Sequence, residues 1–588
     1  MDIFGILTFI GGLAMFLYGM SSMGDGLTKL SGGKLEHLLE KLTSNRFMAV
    51  LLGAGVTAVI QSSSATTVMV VGFVNSGIMK LSQAVGIIMG ANIGTTITSW
   101  ILSLTGIESS NVFIKMLNPS SFSPILAIIG VFLLMMSKND KTKNIGTLLT
   151  GFSILMFGMS TMSSAVSPLA DVPEFTGILT KFSMPLLGVL AGAFLTAVIQ
   201  SSSASIGILQ ALCATGSVSY AIAIPIIMGQ NIGTCITALL SSIGTTRNAK
   251  RTAMVHLYFN VIGTLVFLIL FYGITAFVSL PFLNQAANAA GIAIIHSGFN
   301  IFATIALLPF GNGLVRLAKL TIPDGPEEKA DEACQMLDRR FLDSPAFALT
   351  QCKHAAATMA DLTEQGLYKC ISLLDNYNPQ TAEEVATLES RVDHYEDALG
   401  TYLVQLSSKK LSRKDSQTLS MILHCIGDFE RISDHTVNVM QAAKEMHEKS
   451  LHFSDGAAEE LSIYGKAVED IVTMSFQVFK EEDQSKSKQV EPLEQVIDGL
   501  NAQIKNNHIY RLQNGKCTIE LGFILSDVMT DFERVSDHCS NIAACVSQVQ
   551  NGGFDTHEYL RTMKSGADLQ FEKEYRALSE KYQLPSRF

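Results

Sequence analysis

Charged side chains are missing from two long stretches of the sequence. Residues 182–246 and 252–315 contain no Lys, Arg, Asp or Glu over 65 and 64 consecutive positions, whereas about 20 apolar residues cross a bilayer as one helix. These absences exclude a secreted protein, a nucleic-acid binder with a basic surface and an enzyme held by a single anchor. They predict a polytopic membrane domain, with the lipid bilayer as a partner and no nucleic acid.

Cysteine is sparse and irregularly spaced. The nine cysteines form no CxxC pair, so neither a disulfide framework nor a zinc ribbon is indicated. The N-terminal segment MDIFGILTFIGGLAMFLYGM lacks a basic region and a cleavage site. We therefore expect it to be a retained first span and not a signal peptide.

The charge that is present is concentrated in the C-terminal half. Residues 1–318 hold 22 charged side chains with a net charge of +6, and residues 319–588 hold 72 with a net charge of −16. This division predicts a membrane domain over 1–318, a connector over 319–340, a helical domain over 341–555 and a charged helical tail over 556–588.

The membrane half contains an internal repeat. Three pairs of segments match at a constant offset of 139 residues: YGMSSM at 18–23 with FGMSTM at 157–162, TAVIQSSSA at 57–65 with the same letters at 196–204, and IIMGANIGTTIT at 87–98 with IIMGQNIGTCIT at 226–237. Matches at one offset indicate two copies of one structural unit. We place copy one over about 6–120, copy two over about 145–259, and extra spans over 252–310.

Equivalent loops of the two copies differ in basic residues. The loop at 24–46 has four Lys or Arg against one at 163–185, whereas 104–120 has one against three at 243–259. Because Lys and Arg favour the cytoplasmic side of short loops, the copies are predicted to be inverted, as in secondary transporters, with the acidic half in the cytoplasm. The path consists of hairpins, either re-entrant or paired short spans, and of crossings: 47–79 and 185–215 for the hairpins, and 82–104, 122–137, 145–162, 219–242, 252–279 and 289–310 for the crossings.

Each copy has an apolar stretch of about 14 residues that stops at Gln-Ser-Ser-Ser. Fourteen helical residues cover about 21 Å, which is less than the roughly 30 Å hydrocarbon core. We therefore predict a helix break within the membrane, where free backbone N–H groups and the helix dipole favour an anion. Serines that only pack between helices are the alternative, which the duplication of the pattern argues against.

A second polar block follows each Gln by 31 residues. An uncharged pocket would bind an anion only together with mobile cations, and hydroxyl and carbonyl oxygens suit Na⁺. Copy two differs from copy one by Ser205 for Thr66 and Cys235 for Thr96. The predicted substrate and sodium site comprises Gln61, Ser62, Ser63, Ser64, Thr66, Asn92, Thr95, Thr96, Gln200, Ser201, Ser202, Ser203, Asn231 and Thr234.

Two His-x-x-x-Asn pairs lie in the uncharged stretch that follows. His256 with Asn260, and His296 with Asn300, each share one helix face. They are either buried polar pairs that hold helices together or secondary candidates for substrate contact.

Duplicated QSSS hairpins with downstream N-I-G-T segments resemble the type II sodium/phosphate cotransporters and their bacterial relatives, over about residues 1–315. The resemblance implies inorganic phosphate as substrate, sodium as coupling ion, and alternating access in the plasma membrane at a site formed by both hairpins.

The C-terminal half contains a second repeat, built on E-x-x-x-D. FERISDH at 429–435 recurs as FERVSDH at 532–538, and carboxylates one helical turn apart suit a metal ion if two helices converge, or otherwise form a solvated acidic face. The pattern resembles the PhoU family, which implies two three-helix bundles and metal ions (Fe, Mn, Zn, Mg or Ca). The candidate ligands are Glu389, Asp393, Glu430, Asp434, Glu494, Asp498, Glu533 and Asp537.

The sequence thus predicts an all-α protein that transports phosphate with sodium and is not an enzyme. A serine hydrolase using Ser62 or Ser201 with a histidine is disfavoured, because a hydrolase needs one nucleophile and one oriented base. A phosphate exporter and a sensor that does not transport remain the alternatives. A homo-oligomer or a phosphate-signalling protein is the expected partner.

Overall fold

The computed structural model of the 588-residue chain describes residues 3–31, 45–104, 119–324, 336–551 and 569–585. Over these ranges the regular elements are helices, apart from an isolated antiparallel bridge between Ser219 and Ala286. The predicted all-α fold class is confirmed. Lys34, Lys41 and Lys115, used to orient the copies, and parts of the predicted connector and tail (325–335, 552–568 and 586–588) lie outside the described residues.

The chain divides into two compact units, Met1–Lys329 and Ala330–Phe588. The membrane unit contains thirteen numbered helices in its described residues: α1 (Ile3–Ser31), α2 (Arg46–Ile60), α3 (Ser63–Asn75), α4 (Leu81–Ser103), α5 (Pro119–Met136), α6 (Asp140–Val166), α7 (Pro173–Lys181), α8 (Pro185–Ile199), α9 (Ser202–Cys213), α10 (Tyr220–Ser241), α11 (Arg247–Phe277), α12 (Ala289–Leu307) and α13 (Gly311–Thr321).

Within the described residues of this unit, six helical segments are long and apolar enough to cross a membrane: Ile3–Leu30, Leu81–Ser103, Asp140–Leu169, Tyr220–Ser241, Arg247–Phe277 and Ala289–Thr321. The helices α2, α3, α5, α8 and α9 are apolar but shorter. The predicted crossing at 122–137 therefore falls on one of the shorter helices. The other four short helices, α2, α3, α8 and α9, are the halves of the two predicted hairpins.

Both predicted helix breaks are present at the Gln-Ser pair. Gln61 and Gln200, which follow α2 and α8, adopt left-handed backbone angles with φ of 60° and 59°. In copy one, Thr57 Oγ1 donates to Thr66 Oγ1 at 3.0 Å across the break, although nine residues of straight helix would separate them by about 13 Å. The chain therefore turns back on itself at this break.

Glycines allow each broken helix to pack directly on the long helix that follows it. A Cβ added at Gly90 or Gly229 would lie 2.0 Å from the carbonyl oxygen of Val50 or Val189, respectively. Only a residue without a Cβ lets the two helix backbones approach this closely. Gly90 and Gly229 therefore serve helix packing, and the contact recurs at the 139-residue offset.

The second halves of the hairpins cross between the copies. α3 of copy one packs against α10 of copy two, and α9 of copy two packs against α4 of copy one. α1 and α6, which are also equivalent at the 139-residue offset, pack along each other. The two copies therefore share one polar interior, while their inverted orientation stays a prediction.

The C-terminal unit is helical throughout its described residues. Its long helices are α14 (Pro345–Asp375), α15 (Pro379–Ser407), α16 (Arg413–Glu448), α17 (Asp455–Glu481), α18 (Val490–Gln513), α19 (Ile519–Asn551) and α20 (Leu569–Lys581). α14, α15 and α16 pack together as one bundle, and α17, α18 and α19 as another. α16 packs on α19 and joins the bundles. Buried Phe429, Phe476 and Phe479 contact edge to face at this junction.

Candidate functional site

The helix breaks place two serines at equivalent N-cap positions. Ser62 Oγ accepts a hydrogen bond from the backbone N–H of Ala65 at 3.1 Å, and Ser201 Oγ accepts one from Ala204 at 3.2 Å. Each cap uses an oxygen lone pair, so the hydroxyl proton stays available as a donor. The following residues, Ser63 and Ser202, are buried at the first helical position, where backbone N–H groups have no intrahelical acceptor.

The two glutamines at the breaks differ in environment. Gln61 is 7% exposed, its Oε1 accepts a hydrogen bond from Thr98 Oγ1 at 2.8 Å, and its Nε2 donates to the Ala58 carbonyl. Gln200 is exposed, and Thr237, the counterpart of Thr98, donates instead to the Thr234 carbonyl. Copy one is therefore closed around its glutamine and copy two is open.

The hydroxyl groups beside the breaks also differ between the copies. Thr57 and Thr66 are bonded to each other in copy one, whereas their counterparts Thr196 and Ser205 are fully buried with hydroxyls that have no hydrogen-bond partner. Gln230 donates from Nε2 to the Ser205 carbonyl at 3.0 Å, while its buried Oε1 has no partner. Copy two thus presents three buried oxygen atoms that the protein leaves unbonded.

Of the two predicted downstream amides, Asn92 is linked to Cys235 of copy two through the secondary candidate Asn260, and Asn231 is not. Asn92 Nδ2 donates to Asn260 Oδ1 at 3.0 Å, and Asn260 Nδ2 donates to Cys235 Sγ at 3.3 Å and to the His256 carbonyl at 3.0 Å. Asn231 instead donates to its own helix, at the Ile227 carbonyl. Asn260 therefore links Asn92 to Cys235, and Asn231 is not part of this series of hydrogen bonds.

The predicted threonines donate to carbonyls of their own helices. Thr66, Thr95, Thr96 and Thr234 each hydrogen-bond a carbonyl three or four residues earlier. A hydroxyl that has given its proton to a carbonyl retains lone pairs only. These threonines are therefore suited to a cation and not to an anion.

The histidines occupy buried positions on α11 and α12. His296 Nδ1 lies 3.1 Å from Ser99 Oγ of α4, and Asn300 Nδ2 donates to the His296 carbonyl. Both ring nitrogens of His256 are buried without a partner. The hydrogen bond from Asn92 to Asn260 and the contact of His296 with Ser99 join helices, which is the structural role that the sequence allowed.

In the first bundle of the C-terminal unit, acidic side chains repel one another. Burial, together with the carboxylates of Asp434 and Asp393, raises the pKa of Glu389. Burial and Asp434 raise the pKa of Glu430, which Arg431 partly offsets and Glu396 reinforces. The acids predicted from the first E-x-x-x-D motifs therefore share one electrostatic environment.

The second bundle neutralises the corresponding acid. Asn501 Nδ2 donates to Glu533 Oε2 at 2.6 Å, and Lys505 Nζ lies 3.7 Å from the same oxygen. Asp537 is paired with Arg534 at 3.3 Å, while Glu494 is buried. Across the described part of the chain, no three His, Cys, Asp or Glu side chains are grouped closely enough to hold a metal ion.

The histidines that end the repeated FERISDH and FERVSDH segments each pair with an aspartate outside the E-x-x-x-D motifs. His435 Nδ1 lies 2.8 Å from Asp531 Oδ1, and His538 Nδ1 lies 2.8 Å from Asp428 Oδ1. Neither aspartate belongs to an E-x-x-x-D motif. The pairs are related by the 103-residue offset and join the two bundles.

Sequence reasoning did not include Thr57, Thr98, Thr196 or Gln230 in the site. Gln230 stands where copy one has Ala91, so a comparison of the repeats for unmatched polar residues would have found it. The two threonines before the breaks lie within the repeated TAVIQSSSA segment but precede its serines. Thr98 lies at the end of the second repeated block.

Comparisons with known proteins agree with this architecture. The family model described as Na+/Pi-cotransporter matches residues 15–164 and 154–308, and the PhoU domain matches 356–443 and 461–546. "Putative inorganic phosphate export protein YjbB" of Escherichia coli (strain K12) is 24% identical over 570 residues, covering 94% of this chain and 99% of that protein.

Two further proteins match parts of the chain. "Sodium-dependent phosphate transport protein 2A" of Rattus norvegicus is 36% identical over 98 residues, which are 16% of this chain and 15% of that protein. The crystal structure of PhoU from Pseudomonas aeruginosa covers 35% of this chain and 98% of its own, at 19% identity and a TM-score of 0.33. With two matches of the transporter family spanning residues 15–308 and two of the PhoU domain following them, the chain belongs to the Na+/Pi-cotransporter family and carries a pair of C-terminal PhoU domains.

Proposed function

We propose that this protein moves inorganic phosphate across the plasma membrane together with sodium, by alternating access at the two Gln-Ser breaks, and that its cytoplasmic PhoU domains regulate the movement. The observation that carries the proposal is the pair of matched helix breaks, each with a capping serine. In both hairpins the helix that follows the break packs against the other copy.

The breaks are suited to an anion. Each offers the free N–H groups of a helix N-terminus and a capping hydroxyl whose proton is unused, at Ser62 and Ser201. Ser63 and Ser202 add hydroxyls within the same first turns. Phosphate accepts several hydrogen bonds at once, and the partial positive charge of two half-helices favours it without a fixed cation.

The oxygen atoms of copy two are suited to sodium. Thr196 Oγ1, Ser205 Oγ and Gln230 Oε1 are buried without partners in the protein, and such hard oxygen ligands would be costly in a membrane interior unless an ion or water met them. In copy one the first two counterparts bond each other, and alanine replaces Gln230. The name of the rat relative, a sodium-dependent phosphate transport protein, agrees with this assignment.

The unequal closure of the copies supports alternating access. Gln61 is sealed against Thr98, while Gln200 is exposed. In an alternating-access carrier built from two repeats, one half-site opens as the other closes. If Gln61 became exposed while Gln200 became buried, access to the site would change from one side of the membrane to the other.

The acids of the first C-terminal bundle are the proposed cation ligands of the regulatory domain. The raised pKa values of Glu389 and Glu430 reflect burial and repulsion from neighbouring carboxylates, which a bound divalent cation would relieve. In the second bundle Asn501 and Lys505 already stabilise Glu533. We therefore place the stronger cation affinity in the first bundle.

Export is the alternative direction for the same transport. The E. coli relative that matches 94% of this chain is named as a phosphate export protein. A carrier with this site can work in either direction, since the gradients decide the sign of net movement.

Purified full-length protein in proteoliposomes tests the proposal. We expect an inward sodium gradient to drive ³²P-phosphate into the vesicles, and a reversed gradient to drive it out. The control is the same vesicles with potassium in place of sodium on both sides. Phosphate binding without any movement would favour a sensor, and movement independent of sodium would reject the coupling.

A further inference from the structure

A second set of buried polar side chains lies beside the transport site, between α11 and α12. Both helices carry the same pattern at a spacing of four residues, which keeps each row on one helix face. The six residues, all 0–4% exposed, are His256, Asn260 and Thr264 on α11 and His296, Asn300 and Thr304 on α12. We call these six residues the polar seam.

The two rows line one common space. Asn260 of the first row bonds Asn92 of α4, and His296 of the second row contacts Ser99 of the same helix. α11 and α12 also pack on each other, with a Cβ built at Gly263 only 3.1 Å from the Cβ of Ala303. Both rows are therefore enclosed by α4, α11 and α12. Cys235 of α10 is a further titratable side chain beside the seam, bonded by Asn260.

Several polar atoms of the seam are not satisfied by the protein. Both ring nitrogens of His256, the hydroxyl oxygens of Thr264 and Thr304, and Oδ1 of Asn300 are buried without a hydrogen-bond partner. In a membrane interior such groups are met by water or by a ligand. These five atoms include both donors and acceptors for water molecules in the seam.

The seam covers a large part of the membrane interior. Asn92 and Ser99, which contact Asn260 and His296, are seven residues apart on α4 and so about 10 Å apart along it. His256 lies one turn, about 5–6 Å, before Asn260 on α11. The connection 278–288 is short, so α12 runs antiparallel to α11. His296 lies level with Ser99, and His256 lies one turn beyond the level of Asn92, so the two histidines are at opposite ends of the seam, roughly 16 Å apart.

We propose that the polar seam holds a chain of water molecules and carries protons between His296 and His256, so that phosphate transport also responds to a proton gradient. Histidine is the side chain that takes up and releases protons near neutral pH, and buried relays of this kind occur in pumps and transporters. A protonated imidazole of His296 gives its N–H proton to a seam water. Transfers between waters held by Thr304 and Thr264 then deliver a proton to a ring nitrogen of His256, with only N–H and O–H bonds broken and formed.

This inference goes beyond sodium coupling, and a separate gradient tests it. Full-length protein in proteoliposomes, with the membrane potential clamped to zero and sodium present at equal concentration on both sides, receives a pH gradient of one unit. One proton per cycle changes the equilibrium accumulation of ³²P-phosphate by about tenfold beyond the change due to phosphate ionisation. The double variant Thr264→Val/Thr304→Val removes two hydroxyls at nearly constant volume and should abolish this extra accumulation.

Two further variants separate a proton path from a structural role. Thr264→Ser/Thr304→Ser keeps both hydroxyls and should keep the response to the pH gradient. Thr275→Val, on α11 outside the seam, removes a hydroxyl that donates to the Tyr272 carbonyl at 3.0 Å and should leave the response unchanged. His256→Gln and His296→Gln should each abolish the response, which loss of packing at the threonines would not explain.

Each outcome has one meaning for the seam. Extra accumulation in the wild type that only the valine and glutamine variants lose supports the proposal. No extra accumulation in the wild type, or an equal response in the wild type and in all seam variants, overturns it. A sodium gradient applied without a pH gradient to the same vesicles tests the sodium coupling independently, so failure of one proposal is distinguishable from failure of the other.

Discussion

The two copies of the membrane unit share their backbone and differ in their polar chemistry. At the breaks, Gln61 and Gln200 have nearly the same left-handed backbone angles, and Gly90 and Gly229 pack against carbonyl groups at equivalent positions of the two copies. The hydroxyls of copy one bond each other, whereas those of copy two stay unbonded beside Gln230. Duplication thus preserved the packing, while single substitutions such as Ser205 for Thr66 made the half-sites unequal.

Shared and unshared features of the two copies have different roles. Features that recur at the 139-residue offset hold the broken helices in place. Features that break the repeat distinguish the half that we assign to sodium. Substitutions at shared positions should therefore affect folding most, and substitutions at positions that differ should affect ion dependence most.

The largest effect is expected where the copies agree most closely. Gly90→Ala and Gly229→Ala each push a Cβ to 2.0 Å from a backbone carbonyl oxygen, and backbone cannot move aside as a side chain can. We expect each variant to lower the melting temperature of the detergent-solubilised protein strongly, with a cost of about 3 kcal/mol or more. Gly298→Ala, where a Cβ meets nothing within 4 Å, is the matched control; equal melting of all three would contradict the packing.

The serines at the first helical positions come next. Ser63→Ala and Ser202→Ala remove hydroxyls that we place against phosphate, and loss of such a partner costs about 1–3 kcal/mol, or about tenfold or more in transport rate. The rates are measured as ³²P flux in proteoliposomes. Ser242→Ala, whose hydroxyl donates to the Leu239 carbonyl at the end of α10, should keep its rate. Flux within twofold of wild type in both hairpin variants would exclude the serines from the site.

The glutamines should differ in stability. Gln61→Ala leaves the Thr98 hydroxyl without its acceptor in a buried place, at a cost of about 1–3 kcal/mol. Gln200 is exposed, so Gln200→Ala should melt close to the wild type even where transport is lost. Equal destabilisation of the two variants would mean that Thr98 does not enclose Gln61 in the protein without bound ions.

Exchanging the residues that differ gives a smaller, directional effect. Ser205→Thr should recreate in copy two the hydroxyl pair of Thr57 and Thr66 and so occupy an oxygen proposed for sodium. We expect the sodium concentration for half-maximal phosphate flux to rise about three- to tenfold. Thr66→Ser in copy one is the control and should shift it less. A larger shift in copy one would reverse the assignment.

The smallest effect concerns the corresponding comparison in the C-terminal unit. The pKa of Glu389 is raised, so the folded state favours its protonated form, and this contribution to stability is lost as pH rises through that pKa. Glu389→Gln should therefore raise the melting temperature of metal-free protein slightly at pH 7 and flatten its pH dependence above the ordinary pKa of a glutamate side chain.

The matched change in the second bundle is Glu533→Gln, which removes the negative charge that Asn501 and Lys505 stabilise and should not raise the melting temperature. Titration of Mn²⁺ into the same variants should show about ten- to hundredfold weaker binding for Glu389→Gln. An equal response of both variants would contradict the placement of the cation in the first bundle.

Local signals in the sequence predicted the breaks well. An apolar run too short for the bilayer, followed by a capping serine, determines where a helix must stop, and Gln61 and Gln200 lie at those positions. The set of Thr196, Ser205 and Gln230 was not predicted, because it joins three separate segments through packing. The pairing of His435 with Asp531 was missed for the same reason, since it depends on how α16 crosses α19.

The most direct test of the central claim is simultaneous counting of ²²Na and ³²P entering vesicles that contain the full-length protein. We expect both ions to enter together at a fixed ratio in the wild type. Gln230→Leu should require more sodium for the same phosphate flux, whereas Ala91→Leu, at the equivalent position of copy one, should change that requirement less. Phosphate entry without sodium entry, or an equal sodium requirement in Gln230→Leu and the wild type, would contradict sodium-coupled transport through copy two.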